Sequence, residues 1–373
     1  MQFAFTDEQE QLRSTVRRFL EDKSPPTEVR RLMETESGYD TEVWRQLSDE
    51  LGLTAVHIPE TFGGQGFSFA ELAIIAEEMG RSLFCGPYFS STVLGATAIM
   101  ETASTAQKEE LLPAIAAGER LVALAISEAS GRWDADGITC KVRDGKLTGT
   151  KRFVVDGHIA NLLIVVAREP AGEISFHAVS ADSPGVARRR LEVIDPTRKL
   201  AQVDFDDAPA TRLDADIDGE AALSRILDLA AVALANEMVG GAQWLLESAV
   251  EYAGLRTQFG RAIGSFQAIK HKCADLLLKV ELAKSAAYYA ADAAAANDPE
   301  LPVLACIAKS AAADAYMRAA RDCIQIHGGI GFTWDNDTHL WFKRAKSSEV
   351  LFGTPSLYRE RMMTRIRDER VYA

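Results

Sequence analysis

Residues 321–358 read RDCIQIHGGIGFTWDNDTHLWFKRAKSSEVLFGTPSLY. An Ala-rich helical run from Lys309 to Cys323 leads into Gln325-Ile326-His327-Gly328-Gly329-Ile330-Gly331. Glycines just past a helix let the backbone take a positive φ and come close to a ligand. A second helical pattern follows and ends in a second glycine turn, Phe352-Gly353-Thr354. Two helices that each end in such a turn make a frame for a flat, phosphate-bearing ligand. Most glycine caps bind nothing, so the frame has meaning only with the rest of the chain.

Working outward, the helical period extends back to about Gly219. It predicts helices to Leu255, from Phe266 to about Asn297, and from Pro302 to Cys323. The Ala-rich faces Ala287–Ala296 and Ala311–Ala320 allow close helix approach and suit a four-helix bundle that buries against another copy or another subunit. Between about 122 and 217 the period is near two, in segments such as LVALAIS, KLTGTKRFVV, LLIVVA, ISFHAVS and AQVDF. About seven such strands without intervening helices predict an antiparallel barrel or sandwich. Asp144-Gly145 is a hairpin turn between two of them. A Rossmann domain is excluded, because its strands alternate with helices, and Gly328–Gly331 follows a helix rather than a strand.

The N-terminal part, 1–121, reads as all-α. Thr6 caps the first helix, with Glu8 and Gln9 in its opening turn. PETFGGQG at 59–66 is a glycine-rich loop, and a helix from Ser68 to about Met79 is expected to stop at Gly80. The expected architecture is α+β: an N-terminal helical domain (1–121), a β domain (122–217) and a C-terminal helical bundle (218–373).

The net charge of −13 argues against nucleic acid as a partner. The five cysteines are scattered and lack CxxC spacing, so neither a disulfide framework nor a zinc site is expected, and a cytoplasmic location is natural. No apolar run is long enough for a membrane span. His327 and His339 invite a metal reading, but no acidic ligands accompany them, so they are read as hydrogen-bonded structural residues.

The order of these parts resembles the acyl-CoA dehydrogenase family across essentially the whole chain. The matching pieces are PETFGGQG, LLPAIAAGE before ISEAS, LTGTKRFVVDGHIANLLIVVA, RTQFGRAIGSFQAIKHKCADL, and QIHGGIGFT with FGT. The resemblance implies a flavoprotein that binds FAD across a subunit interface and oxidises an acyl-CoA thioester to its 2,3-enoyl form. Electrons then leave to electron-transferring flavoprotein. Arg256 matches the arginine at the FAD pyrophosphate. Phe259, Ile263, Phe266 and Gln267 match cofactor-lining positions, and Gln325, Gly328 and Gly329 match the turn at the adenosine diphosphate. In the family these residues reach the FAD held mainly by the neighbouring subunit.

The residues expected to serve the subunit's own flavin depart from the family. Ser127 replaces a threonine, Phe153 is the aromatic beside the flavin, and Val155 stands where a hydroxyl residue is usual and cannot hydrogen-bond. Arg132-Trp133 stands where a Gly-Ser pair is usual. Thr354 matches the flavin-contacting threonine. The base is missing from both family positions, which hold Phe352 and Ala230; Ala231 replaces the arginine that meets CoA. Nearby carboxylates are Asp228, Glu237 and Glu349, with Glu237 the candidate base and Glu349 expected to face solvent or Arg344.

Three functions follow from the resemblance: the base-less subunit of a heteromeric enzyme paired with a Glu-bearing homologue, as in enzymes acting on sterol-derived CoA esters; a self-sufficient dehydrogenase with another base; or an FAD-binding homologue with an oxidase, monooxygenase or other role. The first two predict a tetramer or dimer, in lipid metabolism of the β-oxidation or steroid-degradation type.

Overall fold

A computed structural model describes residues 5–372, with side chains through Arg367. In chain order its helices are α1 (Asp7–Lys23), α2 (Pro26–Glu34), α3 (Thr41–Arg45), α4 (Phe69–Arg81), α5 (Thr97–Thr102), α6 (Thr105–Ala116), α7 (Gly219–Leu255), α8 (Gln267–Ala295), α9 (Leu301–His327), α10 (Thr338–Val350) and α11 (Pro355–Tyr372). The chain forms two units. One comprises Arg31–Ser68 and Cys85–Ala230; the other comprises the chain up to Arg30, Phe69–Phe84 and Ala231 onward.

The first unit is built on a sheet. Its strands are β1 (Val122–Ala125), β2 (Lys141–Arg143), β3 (Lys146–Val155), β4 (Leu162–Arg168), β5 (Ile174–Ser180), β6 (Val186–Arg190), β7 (Leu200–Pro209) and β8 (Thr211–Arg212), in the order β6-β7-β3-β2-β4-β5-β8 with β1 against β4. Strand β4 is a continuous apolar run, buried from Leu162 to Ala167, as a strand covered on both faces must be. Leu147, Leu163, Val165, Val179, Val203 and Phe205 form its core. Asp144 and Gly145 join β2 to β3 with both φ angles positive, so the expected two-residue turn forms.

The sheet is not antiparallel throughout. β1 and β2 both run parallel to β4, with Val122 opposite Leu162 and Lys141 opposite Arg168. The chain leaves β1 for the β2–β3 hairpin before returning in β4, and that excursion supplies the long crossover a parallel pair requires.

The second unit is the helical bundle, in which α9 packs against α8, α10 and α11. Thr6 and Gln9 form a reciprocal capping box on α1. Gly80 does not stop α4, which continues to Arg81. It is a crossing point: a Cβ at Gly80 would sit 1.9 Å from the Glu237 carbonyl oxygen, and one at Gly240 1.9 Å from that of Glu77. Two backbones are therefore in contact through two glycines. Charges buried beside this crossing are paired, as burial demands. Arg13 reaches Glu77 at 2.6 Å, Arg17 reaches Glu78 at 2.7 Å, and the Tyr288 hydroxyl donates to Glu77 at 2.9 Å.

Candidate functional site

In the sheet unit, the residues expected at the flavin cluster around the end of β1 and a bulge in β3. Ser127 follows β1, and its main-chain oxygen accepts from Arg152 N at 2.8 Å, which ties the two strands together. Its side chain is fully buried, yet Ser127 Oγ has no hydrogen-bond partner among the described residues. Buried hydroxyls are nearly always satisfied, and Ser127 Oγ keeps its hydrogen-bonding capacity unspent within the described residues. The β3–β7 register breaks between Lys151 and Val154, and there Phe153 takes φ +58 and turns an aromatic ring outward, 38% exposed. Val155 points inward and is buried.

A buried ion pair that sequence reading missed supports this corner. Lys151 Nζ donates to Glu128 Oε1 at 2.7 Å and to the Ile126 carbonyl at 2.9 Å. Glu128 also accepts from the Thr139 and Cys140 amides, each at 2.9 Å. Burial alone would push the Glu128 carboxyl up, but the Lys151 ammonium and these donors hold it below the usual carboxylate range. The loop between Glu128 and Thr139 closes on itself. Arg132, which is exposed, is clamped by Asp134 and Asp136, each at 2.8 Å, and Trp133 is buried. An ion-paired guanidinium and a buried indole thus occupy the two positions where the resemblance leads one to expect a Gly-Ser pair.

In the bundle unit, α7 ends at Leu255 and Arg256 opens an exposed hairpin. Its strands, β9 (Thr257–Gln258) and β10 (Arg261–Ala262), are joined by Phe259 and Gly260, both at positive φ. Phe259 is 92% exposed at the tip. The Phe266 ring carries Arg261 4.1 Å above its centroid and meets Phe259 edge-on. Ile263 N donates to the Arg256 carbonyl at 2.8 Å, and Gln267 is exposed. The Arg256 guanidinium makes no ion pair with any described residue, which leaves it available for an external anion.

At the end of α9, Gln325, Gly328 and Gly329 are exposed, and nothing lies within 4 Å of where a Cβ would stand at either glycine. His327 has its Nδ1 2.8 Å from the Cys323 carbonyl, and its ring stacks on Tyr252. His339 packs edge-on against Trp334. No group of three or more His, Cys, Asp or Glu among the described residues could hold a metal, and no helix among them is long and apolar enough to cross a membrane.

The two positions at which the resemblance leads one to expect the base are buried and apolar. Phe352 is 1% exposed at φ +62, and Ala230 and Ala231 are buried in α7. Glu237 is buried, but Arg344 donates to its Oε1 at 3.1 Å, so it is an ion-pair partner and not a poised base. Glu349 pairs with Lys346, one turn earlier on α10. Asp228 is buried. Thr354 is exposed immediately after Gly353, whose φ is +125.

A helical N-terminal region, a curled middle sheet and a C-terminal helical bundle make up the acyl-CoA dehydrogenase fold. Residues 6–119 match the acyl-CoA dehydrogenase N-terminal domain and residues 218–367 the acyl-CoA dehydrogenase C-terminal domain. The chain is 33% identical over 349 residues to acyl-CoA dehydrogenase IpdE2 of Mycobacterium tuberculosis, covering 94% of each protein. A variant of the Tcur3481-Tcur3483 steroid ACAD superposes with a TM-score of 0.88 at 30% identity, over 98% of this chain and 99% of that one. The ChsE4-ChsE5 complex from Mycobacterium tuberculosis gives a TM-score of 0.89 at 27% identity, again over 98% and 99%. The chain belongs to the acyl-CoA dehydrogenase family, a class of FAD-dependent oxidoreductases.

Proposed function

We propose that this chain is the subunit without a catalytic base in a heteromeric acyl-CoA dehydrogenase acting on a bulky, steroid-derived acyl-CoA ester. The observation that carries this reading is the pairing of Phe352 with Ala230: both places that hold the family's carboxylate are filled by buried apolar side chains. The likeness to the Tcur3481-Tcur3483 and ChsE4-ChsE5 proteins, each a pair of gene products, supports it. So does an asymmetry among the residues. Those that in the family reach a neighbour's cofactor (Arg256, Phe259, Gln325, Gly328, Gly329) are exposed. Those for the chain's own thioester site are blocked by Arg132 and Trp133 or lack a hydroxyl at Val155.

In this reading Arg256 binds pyrophosphate through charge-assisted bonds, and the bare backbone at Gly328 and Gly329 lets the adenosine diphosphate approach. Ser127 Oγ and Thr354 offer hydrogen bonds to the flavin, and Phe153 shields it. When bound, FAD supplies the acceptor for the hydride that leaves the β-carbon. The α-proton goes to a carboxylate on the Glu-bearing partner, and electrons pass on to electron-transferring flavoprotein.

The test is purification of the chain alone and with a Glu-bearing homologue, recording the flavin-to-protein ratio and mass in solution. The reading expects flavin to be retained only in the mixed assembly. A homomer with a full complement of FAD and its own turnover would overturn it.

A further inference from the structure

Lys309 lies on α9 with its side chain fully buried. Its neighbours on the same helix face, Ala305, Ala312 and Ala313, are buried as well, and their small side chains leave room for a four-carbon stem. The ammonium donates to three main-chain carbonyls: Ser348 at 3.0 Å, Glu349 at 3.2 Å and Gly353 at 3.4 Å. It also lies 5.5 Å from the centroid of the Tyr358 ring.

The first two carbonyls belong to the last turn of α10, which ends at Val350; the third lies beyond the bend, just before α11 begins at Pro355. One cation thus joins both sides of the turn Leu351–Thr354. The location is favourable, because the free carbonyls at a helix C-terminus carry partial negative charge. The turn has need of a tie. Phe352 takes φ +62, sparsely populated for a residue with a side chain, and Gly353 takes φ +125, where a Cβ would stand 2.9 Å from Leu357 Cδ2. A lysine suits three carbonyls spread around a bend, since its donors rotate on a flexible stem, whereas an arginine presents a flat fork.

We infer that Lys309 is a positioning residue for the cofactor: it clasps the Ser348 and Glu349 carbonyls to that of Gly353 and so fixes Thr354 where it meets the flavin. The inference rests on the flavin reading given above, and the test separates the two. Lys309→Met keeps the stem and removes the donors; Lys309→Gln keeps two N–H donors on a shorter stem and is measured in parallel. Both are prepared in the flavin-containing assembly, with Arg256→Ala as a reference. Hydrogen exchange is followed at the amides of 351–358, together with retained flavin and the visible absorption spectrum.

The clasp expects exchange at 351–358 to rise about tenfold while β4 and α8 stay protected. It also expects a loss of retained flavin or a shifted flavin band, smaller in the glutamine variant. Wild-type exchange at 351–358 in either variant would overturn the clasp. Faster exchange with unchanged flavin content and spectrum, while Arg256→Ala loses flavin, would overturn the positioning role and leave the flavin reading standing. Full flavin retention in the Lys309 variants and in Arg256→Ala would overturn both.

Discussion

Replacing Gly240 by alanine adds one methyl group at the crossing of α4 and α7. Its Cβ would stand 1.9 Å from the Glu77 carbonyl oxygen and 2.8 Å from the carbonyl carbon. Even close carbon–oxygen contacts in proteins lie near ~3.3 Å, so the helices must separate by roughly 1 Å or more. The obstacle is main chain inside a helix and cannot rotate away. Overpacking of this kind costs about 1–3 kcal/mol and occasionally more, and a site with rigid backbone on both sides belongs at the upper end. Separation would also strain the Glu77 contacts with Arg13 at 2.6 Å and Tyr288 at 2.9 Å. Against this, alanine is a better helix former than glycine by about 1 kcal/mol. The net loss is then about 2 kcal/mol, a fall in Tm of roughly 2–3 °C for a chain of this size. Gly254→Ala is the internal control. It lies on the same helix with nothing within 4 Å of the added Cβ, so it should be neutral or stabilising by up to about 1 kcal/mol. Thermal unfolding of both variants at one scan rate decides the matter. A Gly240→Ala protein as stable as the Gly254→Ala protein would refute the close crossing.

His57 is buried, and burial pushes its imidazole down to about 4. Between the ordinary value near 6.5 and that figure the unfolded chain takes up a proton that the folded chain refuses. Stability should therefore fall as the pH drops through that window, by roughly 3 kcal/mol from this residue at its lower end. Urea unfolding at pH 7 and pH 5 should show the loss, and His57→Gln should remove most of its share of the difference. Phe352→Glu places a carboxylate where the present side chain is 1% exposed, so it should lower stability and restore little turnover. Vigorous single-variant activity would show that Arg132, Trp133 and Val155 do not disturb the pocket. Arg256→Ala removes an exposed guanidinium, so it should leave the unfolding midpoint within about 0.5 kcal/mol of wild type. The same variant should retain several-fold less flavin, read from the absorbance ratio after gel filtration.

What the sequence made legible was local. Asp144-Gly145 announces its hairpin because two adjacent residues that tolerate positive φ carry the whole requirement of that turn. Thr6 and Gln9 do the same for a helix start. Gly80 shows the limit. A glycine near the end of an apolar helical run looks alike whether it terminates the helix or admits another backbone, and the deciding atom is the carbonyl of Glu237, far away in sequence. Glu237 itself read as a candidate base because its partner, Arg344, arrives from a different helix. Lys151 and Lys309 were silent for the same reason: a lysine in a strand or an Ala-rich helix suggests solvent until the carbonyls and carboxylate that surround it are known. The parallel placement of β1 beside β4 is likewise a matter of crossover path, which a period of two does not encode. The apolar identity of Phe352 and Ala230, by contrast, is legible at once, because it depends on no partner.

The hairpin after α7 has a bearing on how a cell must make this protein. Phe259 stands almost wholly in water at its tip, and Phe332 and Trp334 are 80% and 61% exposed elsewhere in the same unit. In the heteromeric reading proposed above, a partner subunit covers these side chains, and a copy made without one meets chaperones and proteases instead. The amount of the protein would then follow the scarcer subunit, and balanced synthesis, as from one transcript, would serve its folding.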